Sequence, residues 1–167
     1  MDLSIQITIL IYIFAQNAHI MSKVNALFHI VFATKDRRPF LLDTFREDLH
    51  KVINDIIISK KSRLHSINSV TDHLHMLVDL NPTVSISELI AAVKACAHNW
   101  MKTDSRAALF NGWCSGYYAC SCSPSHKTSI ETYILRQTEH HAIHLFDKEI
   151  QKMCDVWNLS YHPEDLK

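Results

Sequence analysis

The chain has 167 residues, 47% of them hydrophobic and 20% charged, which suits one domain with a sizeable core and argues against a disordered or low-complexity chain. Seventeen Lys and Arg balance seventeen Asp and Glu, so the overall positive field of a typical nucleic-acid binder is absent, and such binding would need a local basic patch. Five cysteines, an odd number without a convincing secretory signal, argue against a disulfide framework and read as reduced thiols of a cytoplasmic protein.

The first twenty residues hold an apolar run, Ile5 to Ala15, that is too short to span a bilayer comfortably and follows Asp2 where a signal peptide needs cations. No membrane role is expected. Regular patterning opens at Met21, so residues 1–20 read as a non-native N-terminal extension and 21–167 as the single domain. VNALFHIVFA, from Val24 to Ala33, is rich in β-branched and aromatic residues and predicts a strand that leaves through the basic turn TKDRRP. Asp43 is placed to cap a helix that carries Phe45, Leu49, Val52, Ile53, Ile56 and Ile57 at three-four spacing and ends near Lys60. Arg63 to Val70 and His73 to Leu80 read as two strands joined at Thr71-Asp72. Ser85 with Glu88 makes a capping box before a second helix that runs to about Lys102. Trp113 to Ser121 predicts a fourth strand. A third helix starts near Thr128, and a last amphipathic one uses Phe146, Ile150, Met153 and Trp157. The order β-α-β-β-α-β-α contains the split βαβ motif: an α+β, ferredoxin-like antiparallel sheet with the first two helices on one face and the other face open for a site.

Strand alternation puts His73 and His75 on one face while Leu74, Met76 and Val78 point into the core, an arrangement that suits a shared metal ion. With twelve histidines in the chain the spacing alone is weak, and two solvated imidazoles fit it equally. Asp72 and Asp79 flank the pair and could orient the rings as acceptors, or serve only as turn and edge residues. On the third helix Tyr133 and Gln137 stack one turn apart, with His141 a turn further and His140 beside it. A helical tyrosine is commonly packing, but a core helix does not need this polar ridge.

These segments, FHIVFATKDRRPF, TDHLHMLVDL, SISELIAAVKA, GWCSGYYACSCS and ETYILRQTEHH followed by HLFDKEI, occur in the order of a known family. Residues 21–167 resemble the single-tyrosine HUH transposases of small insertion sequences, the IS200-like and repeat-associated tyrosine transposases. The resemblance implies that His73, His75 and Gln137 hold Mg²⁺ or Mn²⁺, and that Tyr133 is the nucleophile in cutting single-stranded DNA through a 5′-phosphotyrosine. It implies that Lys35, Arg37 and Arg38 touch DNA, that the substrate is a hairpin, and that a homodimer builds composite sites, His73 and His75 from one subunit and Tyr133 from the other. The Ser-rich segment before the Tyr133 helix would allow that exchange, and strand 1 or strand 4 could pair across the twofold axis. The chain departs from the pattern at Tyr118, Cys120 and Arg136, which bear on sequence preference and rate.

Other readings stay open on sequence alone. One is a metal-free phosphodiesterase with His73 and His75 as general acid and base. Another is a zinc module of His73, His75, Cys120 and Cys122, although Cys-x-Cys is tighter than usual zinc spacing. A third is a domesticated hairpin-binding protein that no longer transposes.

Overall fold

The computed structural model describes residues 24–137, 139, 146–156, 158–162 and 164. The expected extension, His140, His141 and Trp157 lie outside them. Four strands, β1 (Leu27–Ala33), β2 (Arg63–Ser69), β3 (His73–Asp79) and β4 (Tyr118–Ser121), form an antiparallel sheet in the order β2-β3-β1-β4. Helix α1 (Asp43–Ser59) connects β1 to β2, and α2 (Ile86–Thr103) connects β3 to β4; α3 (Lys127–Leu135) and α4 (Phe146–Val156) follow. This is the expected α+β, ferredoxin-like architecture, with β1 and β3 as its two interior strands.

Period-two alternation divides the interior strands between two faces. Ile30 and Phe32 of β1 with Leu74, Met76 and Val78 of β3 meet the buried stripes of α1 (Phe45, Leu49, Ile53, Ile57) and α2 (Leu89, Ile90, Val93, Ala97, Met101). That layer is the main core. The opposite face carries two smaller clusters: Val31 and Ala33 pack with Cys120 and with Phe146, Ile150 and Cys154 of α4, while Leu27 and Leu77 pack with Ile134 of α3. Among the described residues no helix is long and apolar enough to cross a membrane.

Helix starts follow local chemistry. The Ser85 side chain accepts the Glu88 N–H at 3.1 Å, half of the expected capping box. Asp43 is the first helical residue of α1 rather than its cap, which is Leu42, and it pairs instead with Arg46 one turn on. The fourth strand is shorter than expected: only Tyr118–Ser121 ladders with β1, and Trp113 makes an isolated bridge to Thr34. The reason is a turn at Gly112, whose φ of +117° disfavours side chains, followed by carbonyls of Cys114, Ser115 and Gly116 that curl around the Lys94 ammonium at 2.8–3.2 Å.

Candidate active site

The imidazoles of His73 and His75 project from β3 onto the face under α3 and α4, and both are fully buried. They are not solvated surface rings. His73 Nδ1 meets Asp72 Oδ1 at 2.7 Å, so its proton sits between ring and carboxylate, the tautomer in which Nε2 carries the lone pair. Asp72 is gripped from behind by Arg37, whose Nε and Nη2 donate to Oδ2 at 2.9 and 2.6 Å. Burial pushes the Asp72 carboxyl upward, but the bonds from His73 and Arg37 outweigh it and hold the group near about 2.

His75 is oriented by a residue that the sequence reading did not single out. His29, on β1, places Nε2 3.1 Å from His75 Nδ1. Burial lowers the His29 pKa to about 4, against the opposing charge of Glu149. His29 is therefore neutral at pH 7, and the tautomer that puts the shared proton on His75 Nδ1 is the one in which His75 Nε2 can bind a metal. The available signal was parity: His29 is the one polar residue on the strand face that otherwise carries Leu27, Val31 and Ala33.

Tyr133, on α3, and Gln137, two residues past its end at Leu135 rather than on the same helix as expected, reach the same place, and the last turn of α3 is fastened to β2 by Asn68 Nδ2 donating to the Leu135 carbonyl at 2.9 Å. The Tyr133 ring lies 6.0 Å from that of His75 and 6.1 Å from that of His29, centre to centre. Gln137 is fully buried, and its Oε1 has no hydrogen-bond partner among the described residues. The second residue missed from sequence is Glu149 of α4. It accepts the Tyr133 hydroxyl proton in a short hydrogen bond and the Gln137 Nε2–H at 3.1 Å, and its Oε1 lies 3.6 Å from His75 Nε2. Burial, then the charge and hydrogen bond of Glu149, push the Tyr133 pKa well up, so the phenol stays protonated in this arrangement. One atom each of His73, His75 and Glu149 lie within 4.8 Å of one another, a group that could hold a metal ion.

Other expected residues fall elsewhere. Lys35 and Arg38 are exposed on the turn after β1, whereas Arg37 is folded inward: besides Asp72 it bonds Asp147 at 3.0 Å and stacks 3.8 Å above the Phe146 ring. Its guanidinium orients Asp72 rather than standing free for DNA. Asp79 sits at the far end of β3, where it accepts the Ala26 N–H at 3.2 Å, and so does not orient the imidazoles. Cys120 is buried in the cluster under α4 and Cys122 donates to the Cys120 carbonyl; neither belongs to the group around the histidines.

A ferredoxin-like sheet presenting a buried His-x-His pair beside a helical tyrosine defines the class of protein to which the chain should be compared. A family model described as "Transposase IS200 like" matches residues 22–137, and the chain belongs to that family. It is 27% identical over 120 residues to the transposase of insertion sequence IS200 from Salmonella typhimurium, covering 69% of this chain and 78% of that protein, and equally so to the Salmonella typhi one. Among solved structures it shares the fold of a protein assigned as a transposase from Deinococcus radiodurans R1 (TM-score 0.56, 22% identity, 70% of this chain and 94% of that one). It shares it too with a REP-associated tyrosine transposase bound to a REP hairpin (TM-score 0.57, 16% identity, 72% of this chain and 74% of that one).

Proposed function

We propose that the chain is a metal-dependent transposase that cleaves and rejoins single-stranded DNA through a 5′-phosphotyrosine on Tyr133. The observation that carries this reading is the convergence of the Tyr133 hydroxyl, the Gln137 amide and both β3 histidines on one buried point. The residues fit a divalent cation: His73 and His75 offer Nε2 atoms whose opposite nitrogens are engaged by Asp72 and His29, and Gln137 offers a buried carbonyl oxygen. When bound, Mg²⁺ or Mn²⁺ would polarise a non-bridging oxygen of the scissile phosphate.

In the cleavage step the Tyr133 hydroxyl gives up its proton and its oxygen bonds to phosphorus. The bond from phosphorus to the 3′ oxygen breaks, and that oxygen leaves as a hydroxyl. The phosphodiester energy stays in the covalent link, so rejoining is the reverse attack by a 3′-hydroxyl and needs no nucleotide hydrolysis. Lys35 and Arg38, exposed beside the histidine end of β3, are the side chains we assign to the DNA backbone, with a hairpin as substrate, as in the REP-bound neighbour.

The test is covalent trapping. Labelled hairpin DNA incubated with Mn²⁺ should shift with the protein on a denaturing gel, and Tyr133→Phe should abolish the shift; trapping by that variant would remove Tyr133 as nucleophile. A homodimer with composite sites is the arrangement the resemblance implies. A specific observation favours a second reading, in which each site is built within one chain: here Tyr133 stands over its own His75.

A further inference from the structure

His73, His75 and Gln137 are all uncharged donors in their metal-binding forms. Magnesium and manganese bind by preference to oxygen, and anionic oxygen above all, so a site of two imidazoles and one amide would bind them more tightly with an acidic ligand added. Glu149 supplies the missing charge. Its side chain is only 9% exposed, it comes from a separate helix, and its Oε1 is 3.6 Å from His75 Nε2. The candidate ligand atoms of His73, His75 and Glu149 lie within 4.8 Å of one another. Two ligands on one ion at about 2.1 Å each stand about 4.2 Å apart when opposite and about 3 Å apart when adjacent, so side-chain movements of about an ångström close the group around a cation.

We infer that Glu149 is the acidic ligand of the divalent-cation site and that, because the same carboxylate accepts the Tyr133 hydroxyl, it ties the cation to the nucleophile. This rests on the metal-dependent reading above. Two features separate it from a packing role. A carboxylate in the seam between α4 and the sheet loses hydration that a glutamine would lose at smaller cost, so burial alone gives no reason for the charge. And its partners include the site itself: the nucleophile, the expected amide ligand and a histidine. The hydrogen bond from Gln137 Nε2 also fixes that amide with Oε1 turned away from Glu149, which leaves the oxygen for the same ion. The donor set is then two nitrogens, one amide oxygen and one carboxylate oxygen.

The test uses the full chain without DNA, so that binding is read separately from cleavage. Mn²⁺ affinity is measured by the electron spin resonance of the free ion, Co²⁺ affinity by visible absorption, and the fold by thermal melting. Glu149→Gln keeps the shape and an acceptor for Tyr133 but removes the charge. It should lose Mn²⁺ affinity by about tenfold or more while Co²⁺, held mainly by the imidazoles, falls much less. Glu149→Asp should recover part of the Mn²⁺ affinity, and His75→Ala should lose both ions. Mn²⁺ binding by Glu149→Gln within twofold of wild type, with His75→Ala inactive in binding, overturns the assignment of Glu149 and leaves the metal-dependent reading standing. If the wild-type chain binds neither ion, both fall together. Should Glu149→Gln melt early, Glu149→Asp decides: a folded aspartate variant that binds Mn²⁺ no better than the glutamine one overturns the inference.

Discussion

Arg37, Asp72 and His73 form a relay that starts at the surface and ends at a buried ring nitrogen, with contacts of 2.6 and 2.7 Å. An imidazole keeps the tautomer its partner imposes, so Asp72→Asn should weaken divalent-cation binding about 10- to 100-fold by loosening His73. Asp79→Asn, at the far end of β3 where the carboxylate accepts the Ala26 N–H, should leave it unchanged. Isothermal titration of the two variants checks this, and equal effects would remove the relay. Asp72 and Asp79 look alike in the sequence because each lies beside a β3 residue; only the fold tells a turn carboxylate backed by Arg37 from one at the far strand end. The strand period sets His73 and His75 on one face, as expected, whereas no single helical turn relates Tyr133 to Gln137, since α3 ends at Leu135 and Gln137 meets Glu149 from beyond it. Glu149 was not readable, since it stands three residues after Phe146 on the margin of an apolar stripe and meets its partners only through tertiary packing.

At the scale of elements, the site depends on α3 and α4 lying across a sheet whose shape is set by the layer behind it. Helix α2 starts where Ser85 accepts the Glu88 amide, and Ser85→Ala should cost about 1 kcal/mol of stability, read as a lower urea midpoint with an unchanged slope. Metal binding should be untouched, because the cap acts on the far face. No change in midpoint would show that another group caps the helix. The elements were legible where one local signal decides them: the capping box, the Thr71-Asp72 hairpin, the stripe of α1. Legibility failed where a long-range contact overrides pattern. WCSGYYACS reads as a continuous strand, yet Lys94 on α2 gathers three carbonyls of its first half and only the second half can ladder. Asp43 reads as a cap, yet the chain enters α1 one residue earlier and the carboxylate turns to Arg46.

For the molecule as a whole, two expectations follow from how the layers close. Burial holds both His29 and His50 near about 4 in the folded chain, below the 6.5 of an exposed ring. The unfolded chain therefore binds more protons between those values, and stability falls as pH drops from about 6.5 towards 4, by on the order of 3 kcal/mol for His29. Melting across that range should show the loss, and His29→Asn should reduce it to the part that His50 contributes. The second concerns assembly. Among the described residues the edges of the sheet are β2 and β4, so β1, an interior strand paired on both sides, cannot join two subunits, and pairing by strands is left to an edge. Exchange of the tyrosine helix between subunits carries a definite cost: Ile134 would leave Leu27 and Leu77, and the Asn68 bond to Leu135 would break, unless a partner remade both. The segment that would have to swing is already folded, with Ser123 bonded to Ser125 and a tight turn at Pro124–His126. We therefore expect sites built within one chain even if two chains associate. Co-expressing a His73→Ala/His75→Ala subunit with a Tyr133→Phe subunit tests this, because each parent lacks one half of the site. Sites confined to one chain give no cleavage of hairpin DNA at any ratio, whereas composite sites recover one working site in every mixed dimer. Recovered cleavage that scales with the mixed fraction would restore the exchanged arrangement and show that the contacts of Ile134 and Leu135 are remade across the interface.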